Sequence, residues 1–263
     1  MTDGRVLAAA TAPQPDARFA LVLVALVALA VAASRLGSLG VERTQVTAAV
    51  RAVVQLAVVS LVITAALRSL WWSFAFVGLM FAVATTTSTG RLGVPRRQLP
   101  YVALAIAAGA VPVLVLVLGS GVVPFNGPGV LPIAGIVIGN TMTAATLTGR
   151  RAFDEIRGSF GSYEAALALG LTSPAAAYEV VQPTAKEALT PGLDQTRTVG
   201  LVTLPGAFIG VLLGGGTALE AGAAQILVLL GLMAGQALTA AVLLRLVAQA
   251  ALVRADLADR YPR

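Results

Sequence analysis

Residues 98–149 read QLPYVALAIAAGAVPVLVLVLGSGVVPFNGPGVLPIAGIVIGNTMTAATLTG, a run without one Asp, Glu, Lys or Arg. A hydrocarbon layer about 30 Å thick takes about 20 apolar helical residues, so the run is too long for one crossing. The segment 119–129, with Pro124, Asn126 and Pro128, supplies the break, because proline and glycine end helices and favour turns. The reading is two membrane helices, 99–118 and 130–147, joined by a turn. This decides the fold class as an all-α integral membrane protein.

Composition agrees. Of the 263 residues 57% are hydrophobic and 11% charged, and the mean hydropathy is +0.88. That balance excludes an ordinary water-soluble domain. Cysteine and histidine are both absent, which excludes disulfides, thiolate and imidazole metal sites and histidine-dependent triads.

Working outward from the uncharged run, apolar segments at 19–34, 46–67 and 71–89 precede it, and 198–213 and 223–246 follow the polar interval 150–197. The expectation is about seven spans. Residues 1–18 form a disordered tail, 19–249 the membrane domain and 250–263 a second tail. Trp71 and Trp72 suit an interfacial belt. Within the polar interval a short helix is expected at 163–169. A second, starting at Thr172-Ser173-Pro174, is kinked at Pro183 and stops at Pro191-Gly192.

The net charge is +6, and the basic residues gather at helix ends rather than in one patch, so a membrane topology explains them better than nucleic acid. With 150–197 inside, fifteen of the eighteen Lys and Arg residues lie inside, leaving Arg5, Arg18 and Arg68 outside. The positive-inside rule then gives a multi-pass protein of the plasma (inner) membrane, N-terminus outside and C-terminus cytoplasmic.

Enzyme chemistry finds little to use. The one lysine, Lys186, sits in PTAKE, without the Gly-Lys-Ser/Thr of a phosphate-binding loop, and no Gly-x-Ser-x-Gly elbow occurs. If ATP drives this protein, another polypeptide binds it. Adjacent Asp154 and Glu155 read as solvated loop acids. Three intramembrane features stand out. Arg51 and Gln55 lie one turn apart on one face, either snorkelling or lining the inner mouth of a path. The run Thr85-Thr86-Thr87-Ser88-Thr89 suits bonds to helix carbonyls and neighbouring helices. Asn140, Thr141, Met142 and Thr143 follow Gly135 and Gly139. An amide at bilayer depth must face polar company, so Asn140 is either interhelical glue or part of a substrate path. Met142 adds a thioether suited to soft or borderline metals, though no metal ligand set can be named.

Residues 164–183, EAALALGLTSPAAAYEVVQP, resemble the EAA loop of ABC-transporter permeases: Glu164-Ala165-Ala166, then Gly170, then Val180, Gln182 and Pro183. In that loop a short helix sits in a groove of a separate ATPase. Small Ala165 and Ala166 allow close approach, Glu164 offers charge, and Gly170 can turn where a Cβ would clash. A narrower resemblance lies on either side. Pro132-Ile133-Ala134-Gly135 with Gly139-Asn140-Thr141-Met142, Val199-Gly200-Leu201-Val202 with Pro205-Gly206, and Arg51 with Val54-Gln55-Leu56 are similar to signatures of the FetB-type permease family. That resemblance implies a permease subunit, in all a homodimer with two cytoplasmic ATP-binding cassette subunits. Bacterial members are linked to iron export and oxidative-stress resistance, and plant relatives to aluminium tolerance. Rival readings are an ABC permease for a nucleotide sugar or lipid, and an ATP-independent carrier or channel.

Overall fold

A computed structural model describes residues 15–258, so most of the expected 1–18 tail lies outside the described residues. Among them every regular element is helical. Asp16 caps α1 (Ala17–Leu36) by accepting from the Phe19 amide at 2.8 Å. Helices α2 (Glu42–Arg68) and α3 (Leu70–Leu92) meet through Ser69 alone, which is extended. A 3₁₀ turn, Arg96–Gln98, leads into α4 (Leu99–Gly119). Asn126 then caps α5 (Gly127–Gly158), its Oδ1 accepting from the Gly129 amide at 2.9 Å. The break inside the uncharged run therefore falls where proline and asparagine put it.

Helix α5 does not stop at 147. Its 32 residues make a rod about 48 Å long, more than a hydrocarbon layer needs. The last three turns carry Arg150, Arg151 and Arg157 past the apolar stretch. The polar interval carries the short helices expected there, the second of them broken in two at Pro183: α6 (Phe160–Ala168), α7 (Ser173–Val181) and α8 (Thr184–Thr198). The expected stop at Pro191-Gly192 is absent. The chain breaks at Gln182-Pro183 instead, and α8 runs through Pro191, which leaves the Glu187 carbonyl without its helical donor.

Six helices among the described residues are long and apolar enough to cross a membrane: α1 to α5 and α10 (Ala218–Ala248). The seventh expected span, 198–213, is not one helix. Only α9 (Gly206–Leu213), 8 residues and about 12 Å, is helical there. Backbone chemistry explains this where hydropathy could not. Gly200 takes φ +80 and its amide bonds back to the Thr203 carbonyl at 2.9 Å. Pro205 has no donor and pushes Leu204 out of the helical region.

Helices α4, α5 and α10 form the centre, with α3 on α5; α1 packs on α2 at the periphery. The core has two layers. One, at the arginine-rich end, joins Leu92, Ile106, Phe153, Leu243 and Val247 to Tyr163 and Val181 of the short helices. The other holds Ala110, Val113, Val137, Ile138 and Leu232. Between α4 and α10 the spacing is set by glycine. A Cβ on Gly109 would run into the Thr239 hydroxyl and the Gly235 carbonyl. The hydroxyl run on α3 makes back-bonds, Thr85 to the Phe81 carbonyl at 2.9 Å and Thr89 to that of Thr85 at 2.8 Å. Ser88 also joins Thr146 of α5 at 2.9 Å.

The tail at 250–258 folds back. Leu252, Val253 and Leu257 are buried, and the buried Gln98 side chain accepts from the Val253 amide at 3.1 Å. Arg254 bonds Asp154 at 2.8 Å and Asp256 at 2.7 Å while lying over the Phe153 ring. Its guanidinium holds the Asp256 carboxyl below the usual carboxylate range.

Candidate transport path and coupling surface

Asn140 is half-buried on α5, ten residues before Arg150, so about 15 Å from where charge begins. Its Nδ2 donates to the Ile136 carbonyl at 2.9 Å, and its Oδ1 accepts from Gln236 Nε2 of α10 at 3.4 Å. The two amides line a pocket of about 110 Å³ with Thr143, Pro191, Gly192 and Gln195. Gln236 stands in the otherwise apolar stretch 226–238 of α10, and the cost argument that singles out Asn140 applies to it equally. Sequence reasoning passed it over. Gly192 is there because a Cβ would strike the Gln236 amide. Pro191-Gly192, read as a terminator, instead allows α8 to approach.

The neighbouring candidates separate by helical geometry. Met142 lies on another face of α5, since successive residues turn about 100°. With Gln55, Val58, Met80 and Gly139 it lines an apolar cleft of about 640 Å³ between α2, α3 and α5. Thr141 is buried, its hydroxyl donating to the Val137 and Ile138 carbonyls, and its methyl faces Gly235. Arg51 is exposed on α2 and does not line the cleft that holds Gln55. The proposed path residues therefore fall into a polar pocket with Asn140, an apolar cleft with Met142 and Gln55, a packing position at Thr141, and a surface arginine.

At the arginine-rich end, α6 and α7 form a short hairpin. Tyr163 is buried beneath it and its hydroxyl meets Ser173 Oγ at 2.9 Å. Gly170, at φ +91, closes α6. Its amide bonds the Leu167 carbonyl at 2.9 Å and the Leu171 amide bonds that of Ala166 at 3.2 Å, the two bonds of a Schellman ending. Glu164, Ala165 and Leu169 are exposed and Ala166 is half-buried, so the hairpin presents one acidic, small-residue surface.

Comparison with known proteins matches residues 18–252 to the family described as "Uncharacterised protein family (UPF0014)". The chain is 34% identical to "UPF0014 membrane protein STAR2" of Oryza sativa subsp. japonica over 212 residues, covering 80% of this chain and 74% of that one. It is also 34% identical to "Protein ALUMINUM SENSITIVE 3" of Arabidopsis thaliana, covering 80% and 78%. A shorter match, 33% over 112 residues and 43% of each chain, is to "Probable iron export permease protein FetB" of Escherichia coli (strain K12). No solved structure matches.

Proposed function

This chain belongs to the UPF0014 family, and from that premise we propose that it is the membrane-spanning permease subunit of an ABC transporter. It exports iron or another metal ion while a separate ATP-binding subunit hydrolyses ATP, and two copies form the transport unit. The observation that carries the reading is the α6–α7 hairpin, which offers Glu164 and exposed small residues at the end of the bundle rich in arginine. A rigid helical knob on a membrane bundle is the shape needed to receive motion from a soluble partner. The shorter match, to a relative whose name includes iron export, supports the cargo class.

In this reading the arginine-rich end is cytoplasmic, the N-terminus is outside, and α8 with α9 makes one broken crossing between α7 and α10. The exposed Val122 and Leu169 lie at opposite ends and test it. In sealed right-side-out cells Val122→Cys is expected to react with an impermeant maleimide and Leu169→Cys only after lysis. Labelling of Leu169→Cys in intact cells reverses the topology.

The apolar cleft beside Met142 favours a second reading, in which the cargo is an amphiphile with an acyl chain. Inside-out proteoliposomes loaded with the permease and its ATPase separate the two, with ATP-dependent uptake of Fe²⁺ measured beside flipping of a fluorescent lipid. Under the metal reading Asn140→Leu lowers Fe²⁺ uptake about tenfold, the effect of losing about 1.4 kcal/mol of differential stabilisation. Met142→Leu, which keeps volume, changes it less than about twofold. Lipid flipping without Fe²⁺ uptake selects the second reading.

A further inference from the structure

Helix α8 climbs the bundle from the cytoplasmic end. Ala188 lies with Ala144 and Leu147, and Gly192 reaches the Asn140–Gln236 level. The Phe208 amide of α9 then donates to Gln225 of α10 at 3.3 Å, eleven residues and about 16 Å further out than Gln236. Asp194 and Arg197 follow Gly192 by two and five residues, which sets them about 3 and 8 Å beyond that level along the helix. In the proposed orientation both lie within the hydrocarbon layer, which takes Arg197 out of the fifteen basic residues expected inside.

They form an ion pair at 3.4 Å, yet their side chains remain 57% and 73% exposed respectively. Helix α8 packs on α5 and α10, burying Thr184 and Ala188 and half-burying Gly192 and Thr196. The face carrying Lys186, Glu187, Thr190, Asp194 and Arg197 is left uncovered. Acyl chains are poor company for such a face, because a bilayer offers no donors or acceptors to charged groups.

We propose that the outer face of α8 is the seam against a second copy of this chain, with Asp194 and Arg197 of each copy pairing across a two-fold axis. The inference rests on the homodimeric reading above and names its interface. Charge complementarity selects the occupant. An acid and a base three residues apart on one helix are complementary to the same pair in a two-fold copy, where residue i meets j and j meets i. Discontinuous helices in transporters line a substrate site at a symmetric interface, and the broken α8–α9 crossing fits that role. The Asn140–Gln236 pocket is lined partly by Gln195 and Pro191 of α8, so the two copies' pockets would flank the same seam.

The absence of cysteine makes the test direct. Thr190→Cys, on the outer face of α8, is expected to give an oxidant-dependent dimer in native membranes, and Leu61→Cys, exposed on α2, is not. Asp194→Arg or Arg197→Asp alone is expected to weaken dimerisation in nanodiscs about tenfold or more, by setting like charges together. The exchanged pair, Asp194→Arg with Arg197→Asp, restores it and shows that the bundle still folds. A dimer by native mass spectrometry that cross-links at Leu61→Cys, or at neither position, overturns the seam and leaves the homodimer standing. A monomer that still binds its ATPase overturns both.

Discussion

Glu164→Arg is expected to abolish productive coupling while leaving the protein in the membrane. The residue is exposed on α6, outside every spanning helix, so neither insertion nor core packing depends on it. Under the proposed docking of the hairpin in a basic groove of an ATPase subunit, reversing its charge replaces an attraction with a repulsion, and the expected loss of ATPase affinity is about 30-fold or more. Gly170→Val reaches the same outcome from the backbone. At φ +91 a β-branched residue is strained by about 1–2 kcal/mol, so the Schellman ending opens and the hairpin loses its fixed shape. Gly170→Asn, which tolerates this region better, should retain most of the coupling. Co-purification of the ATPase and its stimulation by the permease are the measurements. Wild-type association and hydrolysis in both Glu164→Arg and Gly170→Val would remove the hairpin from the coupling path.

Gly109→Val is expected to destabilise the bundle strongly. Two of the atoms in the way of a new Cβ are of different kinds, the Thr239 hydroxyl and the Gly235 backbone carbonyl. A side chain could rotate aside, but the carbonyl belongs to the frame of α10, so α4 and α10 must separate along their length. The cost is about 3 kcal/mol, at the upper end of ordinary overpacking. Thr239→Ala removes only the softer obstacle and is not expected to rescue it. Gly119→Val, where a Cβ meets open space, serves as the control. Thermal unfolding in detergent and the monodisperse yield should fall for Gly109→Val and hold for Gly119→Val.

These residues also show which parts of the molecule could be read from the chain. Proline, glycine and asparagine at 119–129 announced the break between α4 and α5, because they act on the backbone where they stand. The expected span 130–147 marks only the apolar part of α5, because a helix can continue into water with a polar surface, as this one does to Gly158. The apolar segment 198–213 looked like a crossing by composition, while Gly200 and Pro205 decided its conformation locally. The hairpin at 160–181 was legible because Gly170 and Pro174 punctuate it. Asn140 was legible from the cost of a buried amide. Its partner Gln236 was equally conspicuous, but only the fold shows that the two meet, and only the fold shows that α8 rises beside them.

The bond from the Val253 amide to the Gln98 side chain spans 155 positions of the chain. At synthesis rates of about 5–20 residues per second, roughly eight to thirty seconds pass between emergence of the acceptor and of its donor. For that interval the Gln98 carbonyl, buried in the finished protein, must be served by water or by the insertion machinery. Assembly of the arginine-rich end of the bundle therefore waits until synthesis has passed residue 253. A polypeptide cut short before residue 253 would carry a polar defect beside α4 that cellular quality control could detect.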